Sequence, residues 1–213
     1  MKSGIGQENE LGKSPVALLL IDVINDLEWP DGEKILEPAL KMARKIGGLV
    51  VEARAAGVPV IYVNDNFGRW RSDFRRLVEH CLEPGMRGKP VVERLRPEPE
   101  DYFVLKPRHS GFYGSCLDIL LRALEVRTLI LTGLAGNLCV LYTANDAYMR
   151  GYELIVPGDA VASNSEVENS QALEQMRTYL EAAIPSSKEL SFEKLLSGKG
   201  RNEAEESAPA HSV

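Results

Sequence analysis

Cysteine, histidine and tryptophan are all scarce in this chain, with three, three and two among 213 residues. The cysteines at 81, 116 and 139 show neither CxxC spacing nor an even count, which speaks against a disulfide framework. Free thiols suit a reducing compartment, so a cytoplasmic location is expected. No apolar run approaches the ~20 residues that a membrane span requires. The opening MKSGIGQENELGKSP lacks the apolar stretch of a secretory signal. Positive charge is in short supply too: 25 Lys and Arg against 31 Asp and Glu leave a net charge of −6. Neither nucleic acid nor a membrane is therefore an expected partner. Phosphate loops are missing as well. GIG at 4–6 precedes the first apolar run rather than following it, GFYG at 111–114 is too generic for an RNA-clamping loop, and no Walker-type loop occurs.

What the chain does have is an ordinary globular composition, 44% hydrophobic and 26% charged, and a length that suits one large domain. Strands are expected at Val16–Ile21, Val58–Val63, Tyr102–Leu105, Thr128–Leu131, Tyr152–Val156 and near Lys188–Leu190. Most are continuous apolar runs, as strands of a parallel sheet covered on both faces should be. Helical spacing fills the gaps. Ile35–Ala56 ends at Gly57, Cys116–Leu124 follows, and Asn137–Arg150 runs from an Asn cap to Gly151. Ser165–Ala183 opens on a Ser-x-x-Glu capping-box pattern, Ser165 with Glu168. This βαβα alternation predicts a three-layer α/β/α, doubly wound, six-stranded and mostly parallel sheet. Residues 15–196 are expected to form that single domain, between a flexible N-terminal arm (1–14) and a disordered tail (197–213) of low apolar content.

Ligands of such sheets bind beyond the carboxyl ends of the strands. Asp22 follows the first strand, Asn64-Asp65-Asn66 the second and Lys106 the third. A glycine-rich turn and then Cys139 follow the fourth. Each has a duller explanation: a buried cysteine is most often an inert core residue, an Asp after a strand a cap, a Lys there a solvated side chain. Together they bring a carboxylate, an ammonium and a thiol to one sheet edge. Near a helix start, unpaired N–H groups and Lys106 would favour a Cys139 thiolate. Asp22 would take and return the proton, and the backbone N–H groups of Ala135 and Cys139 would hold an oxyanion.

The segments ALLLIDVINDL, VLKPRHSGFYGSCLDILLRALEVRTLILTG and LAGNLCVLYTANDAYMRGYELIVPGDAVAS resemble the isochorismatase-like cysteine hydrolase superfamily, over about residues 15–190. That superfamily includes nicotinamidases, carbamoyl-group amidases and isochorismatases. The resemblance implies Asp22 as general base and acid, Lys106 as its charge partner and Cys139 as nucleophile. It also implies a cis peptide at Leu134–Ala135 and a homo-oligomer, dimer or tetramer. Two departures matter. Nicotinamidases carry Asp-x-His and a further His after the second strand to bind a metal; here Asn64-Asp65-Asn66 stands there, and Asp65 alone is a poor metal site. Isochorismate-cleaving relatives commonly carry glycine at the nucleophile position, where this chain has Cys139. The expectation is a hydrolase of a small amide or ureido compound that works through a thioester and needs no metal or cofactor. Vinyl-ether hydrolysis with Cys139 a bystander, and a silent small-molecule binder, are the alternatives.

NDNFGRWRSDFRR (64–76) is the expected specificity segment, a lid with Asn66, Phe67, Trp70 and Arg71. The other readings of it are a helix start with a solvated or subunit-contacting arginine face, and a nucleic-acid patch, which the net acidity disfavours. Phe112 and Tyr113 are further candidates for the substrate pocket, or for the core. His109 invites comparison with a Cys–His dyad, but no Asn or Asp stands out to orient it.

Overall fold

Short aliphatic runs need cover on both faces, and the topology supplies it. The computed structural model describes residues 11–198. Six strands, β1 (Val16–Ile21), β2 (Val60–Asp65), β3 (Tyr102–Lys106), β4 (Thr128–Leu134), β5 (Glu153–Ile155) and β6 (Val161–Ala162), form one sheet. Its order is β3-β2-β1-β4-β5, with β6 beside the end of β4, and every pairing is parallel. The helices are α1 (Gly32–Ala55), α2 (Phe74–Cys81), α3 (Lys89–Arg94), α4 (Leu117–Ala123), α5 (Leu141–Met149), α6 (Glu166–Tyr179) and α7 (Phe192–Leu196).

Alternation along the strands divides the core in two. Leu18 and Leu20 of β1 and Tyr62 of β2 face a cluster with Ile35, Met42 and Ile46 of α1, Phe74 of α2 and Val92 of α3. Ala17, Leu19 and Ile21 face the opposite cluster, with Leu117 and Leu121 of α4, Ala144 and Ala147 of α5, and Met176 of α6. This is the expected three-layer α/β/α arrangement. Each fully buried Leu or Ile contributes ~1.5–3 kcal/mol through removal from water.

The chain winds outward through β1, β2 and β3, then crosses back to β4 and winds the other way. β1 and β4 are neighbours, so the crevice between their carboxyl ends is the switch point of the sheet. Gly133 makes that closeness possible. It pairs with Ile21 across the two strands, has φ of 113°, and a Cβ there would lie 2.1 Å from the Ile21 carbonyl oxygen. Gly133→Ala is therefore expected to cost about 3 kcal/mol or more through combined clash and backbone strain. Urea unfolding checks this, and an unchanged midpoint would refute the stated role of Gly133.

Several local expectations need correction. Lys188–Leu190 is no strand: Ser187–Glu189 is a 3₁₀ turn closed by a capping box, in which the Ser186 N–H donates to Glu189 Oε2 at 2.6 Å. The sixth strand is instead Val161–Ala162, too short to leave a periodic signal. Asn137 is not a helix cap. The chain leaves β4 through a π-helical turn, Gly136–Val140, before α5 begins, and Asn137 Nδ2 donates to Glu168 Oε2 at 3.0 Å. That contact occupies the Glu168 carboxylate, so only half of the expected box at Ser165 forms, with Ser165 Oγ accepting from the Glu168 N–H. α2 begins after Asp73, whose carboxylate accepts from the Arg76 N–H; a helix start was one of the three readings of 64–76. Most of the expected arm and tail, 1–10 and 199–213, lies outside the described residues. Packing already begins at Ser14, buried and donating its N–H to Leu124 O at 2.9 Å.

Candidate active site

Three strand ends and one turn converge at the switch point. Asp22 follows β1 directly, with φ of 50°, and its N–H donates to Val63 O at 3.0 Å. Lys106 is the last residue of β3 and is fully buried. Cys139 sits in the π-helical turn after β4, 9% exposed. Lys106 Nζ lies 2.8 Å from Asp22 Oδ2 and 3.7 Å from Cys139 Sγ. The carboxylate and thiol expected from the sequence thus both meet the expected ammonium. Asp65, the last residue of β2, completes the group: its N–H donates to Asp22 Oδ1 at 2.6 Å, and its Oδ2 is 3.5 Å from Lys106 Nζ.

Burial dominates the electrostatics here. It pushes the Asp22 carboxyl above its ordinary range, against the opposing pull of Lys106, the Cys139 hydrogen bond and the Asp65 N–H. Burial lowers Lys106, yet the Asp22 carboxylate, with Cys139 and Asp65, more than offsets this, so the ammonium is held above its usual value. Cys139 corrects the expectation of a standing thiolate. Burial first, and the Asp22 charge second, lift its thiol well above the ordinary value, and the attraction of Lys106 does not compensate. Burial thus favours a resting thiol hydrogen-bonded to Asp22, beside the Asp22–Lys106 pair.

The turn bearing Cys139 is braced from two sides. Thr143 Oγ1 donates to Cys139 O at 2.7 Å and accepts from the Gly111 N–H at 2.9 Å, tying the turn to the loop after β3. On the other flank Asn137 N–H donates to Ser163 Oγ, which in turn donates to Asn169 Oδ1. Gly136 is pressed so close that a Cβ would sit 2.4 Å from that Asn169 oxygen. None of Thr143, Ser163 and Asn169 was singled out from sequence; only the four-residue step from Cys139 to Thr143, one helical turn, hinted at the first. The Leu134–Ala135 peptide is trans, not cis, since no cis bond occurs among the described residues. Trans is the form that costs a non-proline residue nothing, against ~3 kcal/mol for cis. The Ala135 N–H finds no acceptor among the described residues.

The expected pocket residues divide. The Asn66 N–H donates to Lys106 O at 2.9 Å, and its side chain accepts from the Gly68 N–H, so it adjoins the site through the main chain. Phe67, Trp70 and Arg71 are exposed, with Trp70 78% accessible, on a loop of tight turns. Phe112 belongs to the core: it is buried against Tyr152, ring centroids 6.0 Å apart, and beneath the Arg150 guanidinium at 4.7 Å. The Ser110–Asp146 and Gly111–Thr143 hydrogen bonds pull its loop onto α5. Tyr113 is exposed. His109 packs against Tyr142, ring centroids 5.5 Å apart, rather than against the thiol. A cavity of about 860 Å³ opens at the opposite, amino edge of the sheet, lined by Pro15, Thr128, Tyr152 and Leu196 among others, and no residue of the Asp–Lys–Cys group borders it. No described helix is long and apolar enough to cross a membrane. No group of three His, Cys, Asp or Glu suited to a metal ion occurs among the described residues.

Residues 16–188 match the isochorismatase domain model. The chain is 41% identical over 180 residues to YaaI of Bacillus subtilis (strain 168), described as an uncharacterized isochorismatase family protein; the match covers 84% of this chain and 98% of that one. It is 37% identical over 139 residues to a ureidoacrylate amidohydrolase, RutB of Methylorubrum extorquens, covering 54% of this chain and only 55% of that enzyme. The crystal structure of N-carbamoylsarcosine amidase from Thermoplasma acidophilum superposes with a TM-score of 0.59 at 30% identity, covering 83% of this chain and 98% of that one. The chain belongs to the isochorismatase family.

Proposed function

We propose that this protein is a cysteine hydrolase that cleaves the C–N bond of a small, non-peptide amide or ureido compound through a thioester. The observation that carries the reading is the buried contact of Lys106 Nζ with both Asp22 Oδ2, at 2.8 Å, and Cys139 Sγ, at 3.7 Å. In the first half-reaction the Cys139 S–H proton passes to Asp22 as sulfur attacks the carbonyl carbon. The backbone N–H groups of Ala135 and Cys139 hold the oxyanion. The C–N bond then breaks, Asp22 returns the proton to the departing nitrogen, and the thioester remains. Asp22 next draws a proton from water, which attacks the thioester and releases the acid and the thiol. Lys106 stays cationic throughout, and neither metal nor cofactor enters the scheme. The amidase names of two relatives support the C–N specificity.

A second reading has one observation behind it. A carboxyl raised by burial, as Asp22 is, also suits a proton donor to a vinyl ether, with Cys139 idle. Ammonia release from ureidoacrylate, N-carbamoylsarcosine and simple primary amides, set against isochorismate consumption, separates the two. Under the amidase reading, kcat/KM should fall on the acid side with a midpoint above the ordinary carboxyl value of about 4, because Asp22 must be ionised to accept the thiol proton. A rate that stays flat down through that value would remove Asp22 as the base.

A further inference from the structure

We infer that Asp65 is a positioning residue of this site: a second counter-ion that keeps Lys106 anchored and charged while Asp22 is neutral, and so sets how readily Cys139 gives up its proton. The inference rests on the reading of Asp22, Lys106 and Cys139 given above. The site carries more anionic groups than its cation requires. Two carboxylates, Asp22 Oδ2 at 2.8 Å and Asp65 Oδ2 at 3.5 Å, share one buried ammonium. An active thiol needs only one of them as its base. The second also reaches the first through its main chain, since the Asp65 N–H donates to Asp22 Oδ1 at 2.6 Å.

The reaction explains why two are present. When the S–H bond breaks, its proton goes to Asp22 and its electron pair to the new C–S bond. Asp22 is then an uncharged acid, and its ion pair with Lys106 no longer exists. Without another anion, the ammonium would be a lone charge buried in a site with little water, free to be drawn toward the oxyanion or to lose its proton. Asp65 takes no part in that transfer and stays beside Lys106, its Oδ2 3.5 Å from Nζ. Its side chain is 22% exposed against 7% for Asp22, so part of its carboxylate reaches water. When Asp22 has delivered the proton to the leaving nitrogen, Lys106 is still in place to re-form the pair.

The same placement puts a second negative charge near the thiol. The charged or titratable groups acting on Cys139 are Asp22 from the end of β1, Asp65 from the end of β2 and Lys106 from the end of β3. Asp65 opposes ionisation of the resting thiol and Lys106 favours it.

Asp65 also shapes the backbone, because its Oδ1 accepts from the Phe67 N–H at 2.7 Å, and the test has to separate charge from turn. Asp65→Asn keeps the volume and an oxygen for that N–H but removes the charge; Asp65→Ala removes both. The readout is alkylation of Cys139 by iodoacetamide against pH, resolved by peptide mass, with Asp22→Asn alongside. Both Asp65 variants are expected to shift the rate–pH curve to lower pH and to raise the rate near neutrality by about three- to tenfold. If Asp65→Asn follows the wild-type curve, whether or not Asp65→Ala departs from it, Asp65 is no more than a turn former and the inference is overturned. Asp22→Asn tells the two failures apart. A shift with Asp22→Asn but not with Asp65→Asn removes only this inference. No shift with either removes the reading of the whole site.

Discussion

Asp22→Asn is expected to separate two properties that usually move together, making Cys139 more reactive toward an alkylating agent while abolishing turnover. After burial, the Asp22 carboxylate is the largest influence holding the proton on the thiol, both by its charge and by accepting the S–H. An amide in its place carries no charge, and Lys106 remains as the nearest cation, 3.7 Å from the sulfur. The thiol should therefore ionise at lower pH, and iodoacetamide should label it faster than it labels the wild type. Turnover needs more than an ionised sulfur. The leaving nitrogen must be protonated, and Asn cannot deliver a proton, so kcat should fall by about 10²–10⁴-fold. Peptide-resolved alkylation and ammonia release on the same preparation check both halves. Parallel loss of both would mean that Asp22 activates the resting thiol, contrary to the geometry described.

Lys106→Met carries the largest expected cost in stability. Lys106 is fully buried, and its removal leaves Asp22, itself 5% exposed, without its cation. Breaking a buried ion pair by removing one partner typically costs about 3–5 kcal/mol. The pH dependence follows from the direction of the Asp22 shift. Burial already raises the folded-state value above that of the unfolded chain, and loss of Lys106 raises it further. The folded variant thus takes up a proton at a pH where the unfolded chain does not. The loss should be full above the raised folded value and should shrink as pH falls through it toward the ordinary carboxyl value. Urea unfolding at about pH 8 and about pH 5 checks this; a loss below about 1 kcal/mol, or one identical at both, would contradict the described pair.

Much of this site could be read before any fold was in hand, and for a physical reason. In a parallel sheet the residue after each strand lies at one edge, so finding the strands finds the neighbourhood. That logic pointed to Asp22, Lys106 and Cys139, and the structure brings them into contact. It was blind to effects that depend on three-dimensional sums. The thiol was expected to be ionised because its helix start and Lys106 were visible in the sequence, whereas its burial was not, and Asp22 was read as a base rather than as an opposing charge. Phe112 looked like a pocket wall because its loop follows Lys106, but the hydrogen bonds from Ser110 and Gly111 to α5 turn it inward. β6 escaped notice because two residues make no periodic pattern. The capping box at Ser186–Glu189 hid in a stretch read as strand, and the pattern chosen at Ser165 forms only by half because Glu168 meets Asn137 instead.

The central claim is that Cys139 forms the covalent bond, and the most direct measurement is ammonia release by Cys139→Ala from whichever amide or ureido compound the wild type turns over. Loss of a nucleophile from a covalent mechanism should lower kcat by about 10³-fold or more, with folding intact because Ala nearly fills the same small site. Turnover by Cys139→Ala within tenfold of the wild type, on the order of 1 kcal/mol in barrier, would contradict the account and leave Asp22 as the acid of a reaction that needs no thiol.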